Sequence, residues 1–192
     1  MGKYLGLGVQ PHRVAVISIE RAAVKHENWL AALALALMLP DICGKLQWPE
    51  EEKGGKRYAK WWAHNFAGTY TYGSASDYVT GDEVWQLRCA YLHEGSSELQ
   101  NDKKELIPVI EKFQFAISRD HLKKEGTTVL LNVRTFCEDM CDHVKSWETK
   151  ILSKDPAMRK RAEKLLKIYI SIYPSGISSA AAVGTPTVTQ SE

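Results

Sequence analysis

Two residues with complementary chemistry stand five apart in the stretch Leu87-Arg88-Cys89-Ala90-Tyr91-Leu92-His93-Glu94-Gly95. Histidine titrates near neutral pH, so His93 can take up or release a proton. Arginine stays charged, and its planar fork donates paired hydrogen bonds to phosphate oxygens, which suits Arg88 to an anion. Metal-free cleavage of RNA needs these abilities: a base for the 2′-hydroxyl proton, an acid for the leaving 5′-oxygen and a cation for the phosphorane between them.

The element that carries the pair is legible. Thr80-Gly81-Asp82-Glu83 has the form of a capping box and Gly95 that of a C-terminal stop, which predicts a helix over 81–94. At about 100° per residue, Val84, Trp85, Leu87, Cys89, Tyr91 and Leu92 make one apolar arc, and Asp82, Glu83, Gln86, Ala90 and Glu94 lie opposite. Arg88 falls inside that arc, and His93 lies at its margin. Burying a guanidinium without a counter-charge costs several kcal/mol, so Arg88 needs an internal carboxylate or an anion site. Asp41, an acid in an otherwise apolar helix, is the simplest internal partner. On a straight α-helix, residues five apart point about 140° away from each other, so Arg88 and His93 need not converge on one phosphate within a monomer.

The pattern Arg-x-x-x-x-His over Arg88 to His93, near the end of a helix, resembles the signature of the HEPN superfamily of small helical domains. Asn28-Trp29-Leu30 through Leu39-Pro40-Asp41-Ile42-Cys43-Gly44 is similar to an early helix of such domains, and the resemblance covers roughly residues 10 to 150. It implies a helical bundle that dimerises with its motif helices facing, so that two Arg88 and two His93 line one cleft. The implied activity is endonucleolytic cleavage of single-stranded RNA to 2′,3′-cyclic phosphate and 5′-hydroxyl ends, with Arg88 and His93 catalytic and with no metal or cofactor. The implied setting is a toxin–antitoxin or antiphage system, with an antitoxin or other defence protein as a further partner. The residue after the arginine is commonly Asn, Asp or His in active members and here is Cys89. That departure favours the alternative, a non-catalytic helical module that binds a nucleotide or a partner protein.

The 192 residues suffice for one domain with a substantial core; 44% are hydrophobic and 25% charged, an ordinary globular balance. A net charge of +2 gives no global pull toward nucleic acid, so any RNA contact must be a local patch. Cys43, Cys89, Cys137 and Cys141 form no C-x-x-C pair, and three of them lie among apolar neighbours as small core residues. With no signal peptide read at the N-terminus, such thiols point to the cytoplasm. The longest apolar run, Trp29 to Pro40, is about half of what a bilayer crossing requires, so no membrane association is expected.

The fold class read from these patterns is mainly α: a helical bundle over residues 10–173, with a small inserted β-hairpin at 109–133. A flexible start over 1–9 precedes it and a disordered tail over 174–192 follows. A first helix is expected over 10–25. Trp29 to Leu46, apolar on nearly every side, should be the central helix, with a kink or break at Pro40. Trp48 to Gly55 reads as a solvated loop. Lys56 to Phe66 reads as a short helix whose aromatics, interleaved with Arg57 and Lys60, either form core or contact RNA. Tyr91, on the arc of Arg88, either packs or touches substrate. Arg134 to Leu152 and Pro156 to Tyr173 complete the helices, the last with a basic flank.

Overall fold

The computed structural model describes residues 23–66, 68–72, 78–99, 110–117 and 120–165. The start and the tail, expected to be flexible over 1–9 and disordered over 174–192, and most of the expected first helix lie outside these residues; residues 23–25 are helical.

Helix α1, Trp29–Gln47, begins where Asn28 caps it, its side-chain oxygen accepting from the Ala31 N–H at 3.4 Å. The break expected at Pro40 does not occur. Pro40 removes one backbone donor, but it is buried with Leu37, Leu39 and Cys43, and the packing of that stretch outweighs a single lost bond. The uninterrupted helix is, by length and composition alone, long and apolar enough to cross a membrane, which the apolar run to Pro40 did not suggest. Within the fold it is the core helix, with Ala32, Leu33, Ala36, Leu37, Leu39 and Cys43 buried.

Helix α2, Gly54–Phe66, turns Tyr58, Trp61, Trp62 and Phe66 inward. The Trp62 and Phe66 rings stack 4.2 Å apart, Trp61 meets Trp147 edge-on at 6.4 Å, and the Trp62 indole donates to the Val79 carbonyl at 3.0 Å. Of the two readings of this aromatic stripe, the structure shows core. Helix α3, Gly81–Cys89, packs on α2 so closely that a Cβ at Gly81 would fall 2.5 Å from the Ala59 Cα. Glycine is needed there for the two backbones to approach.

The inserted hairpin is part of a three-stranded sheet, with strands β1, Lys112–Ala116, β2, Lys123–Glu125, and β3, Thr128–Asn132, in the order β1-β3-β2. β2 and β3 form the hairpin, turning at Gly126 with φ of +61°. β1 pairs with β3 in parallel, Phe113 opposite Val129 and Phe115 opposite Leu131, which corrects the expectation of one hairpin spanning 109–133. Alternation marks a strand but carries no information about its direction. The outer edge of β1 takes the chain that leaves the motif helix: Leu99 N–H donates to Glu111 O at 2.8 Å, and Phe113 N–H to Ser97 O at 2.9 Å.

Asn132 ends β3 and caps helix α4, Val133–Lys150, accepting from the Thr135 N–H at 3.0 Å. Phe136, Met140, Val144 and Trp147 face the core, and the Trp147 indole donates to Gln47 at 2.7 Å. A short helix α5, Pro156–Ala162, follows an Asp155 cap and is shorter than the sequence suggested; residues 166–173 lie outside the described ones. On its basic flank, Arg161 turns inward and gives two hydrogen bonds to the Leu46 carbonyl.

Candidate active site

The motif helix starts as the capping box predicts. Thr80 Oγ1 accepts from the Glu83 N–H at 3.2 Å, and Glu83 Oε2 accepts from the Thr80 N–H at 2.7 Å. Burial raises the Glu83 carboxyl above its ordinary pKa, against the lowering effect of the two hydrogen bonds to Thr80. Val84 and Leu87 anchor the helix in the core.

After Cys89 the winding changes. Ala90–Glu94 form a π-helical turn, in which the Gly95 N–H reaches back five residues to the Ala90 carbonyl. Gly95 ends it in the left-handed conformation, φ +64°. Ala90 is buried, the Tyr91 hydroxyl donates to the Leu30 carbonyl of α1 at 2.9 Å, and the Tyr91 ring meets Phe115 of β1 edge-on at 5.6 Å. The wide turn is thus held between α1 and the sheet.

Its consequence is chemical. A π turn brings residues five apart over one another, and Arg88 Nη1 lies 3.0 Å from His93 Nε2. The 140° divergence expected of a straight helix is absent, so the two candidate residues meet within one chain. Arginine only donates, so His93 Nε2 is the acceptor and the neutral ring carries its proton on Nδ1.

Arg88 is half-buried and stacks on Trp85, its guanidinium carbon 5.1 Å from the ring centre. Its Nε is buried and has no partner among the described residues. The Trp85 indole rests on the first residues of α2: a Cβ at Gly55 would sit 2.8 Å from Trp85 Nε1, and one at Gly54 would touch the ring at 3.5 Å. Gly54 and Gly55, read from sequence as loop, therefore seat the residue that seats Arg88. Trp85 also packs at 5.3 Å on Tyr58, whose phenol pKa burial drives well above its ordinary value, against the lowering effect of the Arg88 charge.

The Asp41 to Arg88 pair is not formed. Asp41 accepts from Arg57 Nη2 at 3.0 Å, and Arg57 Nη1 donates to the Glu51 carbonyl at 2.6 Å. Arg57, one of the residues expected to touch substrate, is 8% exposed and committed to this network beside Gly54. Lys60 lies 4.3 Å over the Trp48 ring. Tyr91 is half-buried and packed, and burial raises its phenol pKa. Of the five residues singled out from sequence, the structure joins Arg88 and His93 directly, puts Tyr91 in their turn, and gives Arg57 and Lys60 other partners.

No known protein family, curated protein or solved structure matches this chain.

Proposed function

We propose that this chain is a metal-independent endoribonuclease acting on single-stranded RNA, with its site at a homodimer cleft of HEPN-like type. The observation that carries the reading is the 3.0 Å contact between Arg88 Nη1 and His93 Nε2, which gathers a permanent cation and a proton acceptor at one point. His93 Nε2 takes the proton of the 2′-hydroxyl, the 2′-oxygen attacks phosphorus, and Arg88 holds the charged non-bridging oxygens. The 5′-oxygen departs with a proton from the histidine of a second copy, which enters the step as imidazolium, leaving a 2′,3′-cyclic phosphate and a 5′-hydroxyl. An apolar groove of about 280 Å³, lined in part by Trp29, Phe115 and the exposed Leu30 and Ile117, adjoins Tyr91 through Leu30 and Phe115 and offers a second copy a surface to cover. The thiols of Cys43, Cys137 and Cys141, all buried and none in a disulfide, support a reducing, cytoplasmic setting.

The test is incubation of the purified protein with single-stranded RNA in excess EDTA. The expected products carry cyclic-phosphate and 5′-hydroxyl ends. Cleavage that requires a divalent metal, or 5′-phosphate ends, would overturn the mechanism.

The alternative, a non-catalytic module that binds a nucleotide or a partner protein, draws support from Cys89 beside Arg88 and from the contact with Arg88 that occupies the acceptor nitrogen of His93. It predicts nucleotide binding with no turnover.

A further inference from the structure

We infer that the Arg88–His93 contact is the resting state of an anion-gated base: a phosphate oxyanion takes the guanidinium away from His93, and only then is Nε2 free to accept a proton from a ligand. This deepens the ribonuclease reading and rests on it for the identity of the ligand, while its first step, oxyanion exchange, is a property of the site alone.

Three observations carry it. First, the acceptor face of His93 is occupied: Nε2 has one lone pair in the ring plane, and Arg88 Nη1 donates to it at 3.0 Å. A base in that state cannot reach a hydroxyl proton. Second, Arg88 is under-satisfied. Its Nη1 gives its bond to a neutral ring nitrogen rather than to a carboxylate, and its Nε is buried with no acceptor among the described residues. The single acid of α1, Asp41, is already bound to Arg57. A charged oxygen is a better partner for a guanidinium than neutral imidazole, because it brings a full opposite charge and a phosphate can accept two parallel N–H bonds from the fork. Third, the exchange needs only side-chain motion. His93 is exposed at the end of the π turn, and the guanidinium carbon of Arg88 lies 5.1 Å over the indole of Trp85, itself seated on Gly54 and Gly55, a contact that does not use the Nη1 donor.

The order of events follows. Phosphate binds before the base exists, so the free protein carries a masked histidine and substrate unmasks it. No bond is made or broken covalently in this step; one hydrogen bond to imidazole is exchanged for one or two to an oxyanion.

The experiment is a long-range proton–nitrogen correlation spectrum of the ¹⁵N-labelled full chain, with the His93 signals assigned by their loss in His93→Gln. Without ligand, His93 is expected to show an unprotonated Nε2 in a single tautomer. Inorganic phosphate should shift the Nε2 resonance saturably, and a 2′-deoxy oligonucleotide, which cannot be cleaved, should do the same. In Arg88→Gln the resting spectrum should move to a mixture of tautomers and phosphate should have no effect. Arg88→Lys, which keeps the charge, guards against a folding artefact and should retain a weakened phosphate shift. A resting His93 protonated on Nε2, or a Nε2 resonance that millimolar phosphate leaves unmoved, would overturn the gate. The two readings fail separately: RNA cleavage with a silent His93 resonance removes the gate and keeps the ribonuclease, whereas a phosphate shift without RNA cleavage keeps the gate and removes the ribonuclease.

Discussion

His93 and His121 each use one ring nitrogen as an acceptor, and they do so to opposite ends. His121 Nδ1 accepts the backbone N–H of Asn132 at 3.2 Å, where β3 passes into α4, and its Nε2 is buried without a hydrogen-bond partner among the described residues. Its ring meets Tyr70 edge-on at 5.2 Å, and the Tyr70 hydroxyl donates to Asp139 at 3.0 Å. His93 is exposed, and its acceptor nitrogen is met by a side chain that other groups can claim. A histidine bound to a backbone amide in a packed junction is committed to structure. One bound to a half-buried arginine at the end of a helix remains available for exchange.

If that contrast holds, the two histidines separate cleanly in experiment. His93→Ala should lower the rate of RNA cleavage by about 10² to 10⁴ while changing unfolding free energy by no more than about 0.5 kcal/mol, because the side chain is exposed. Cleavage assays and urea melts on the same preparation check it, and a large loss of stability would erase the distinction.

Disturbing the seat of Arg88 should have the next largest effect. Gly55→Ala places a Cβ 2.8 Å from Trp85 Nε1 and must displace the indole, so cleavage should fall by about 10² for a shift of about 1 Å, with kcat more affected than KM. An unchanged kcat would remove Trp85 from the account.

Asp41→Ala sharpens the comparison from the structural side. It strips the partner from the buried Arg57 and leaves the Arg88–His93 contact intact, so it should cost about 2 kcal/mol of stability, measured by urea denaturation. A loss of cleavage exceeding the loss of folded protein would mean that Asp41 acts on Arg88 after all.

The smallest effect expected is at His121. Burial lowers its pKa in the folded protein, with Asp139 opposing, and burial also lowers that of His143, with Asp139 and Asp142 among the opposing groups. The unfolded chain therefore binds more protons as the pH drops below the ordinary histidine value of about 6.5, and stability should decline from there until the folded rings also protonate. His121→Ala should cost about 1 kcal/mol at neutral pH by orphaning the Asn132 amide, and should flatten this acid decline. An equally steep decline in the variant would assign it elsewhere.

Much of the frame was legible because it is local. The Thr80 to Glu83 box and the Gly95 stop depend on residues within a turn of each other, and both formed. The site was legible only in its residue types. Reading Arg88 and His93 at 100° per residue set them apart, and the π turn that joins them is held by Tyr91 reaching Leu30, 61 positions away in the chain. The same holds for Asp41, whose partner is Arg57 on another helix, and for β1, whose pairing direction depends on where the chain returns. Gly54 and Gly55 looked like loop residues because nothing nearby in sequence announces an indole lying on them.

The most direct test of the central claim, that the π turn makes Arg88 and His93 one working unit, is a double-mutant cycle on RNA cleavage in EDTA. Arg88→Ala, His93→Ala and the double variant should all fall to a similar residual rate, as expected of residues that act together. Losses that simply add in free energy, or single variants that cleave as well as the unaltered protein, would contradict it.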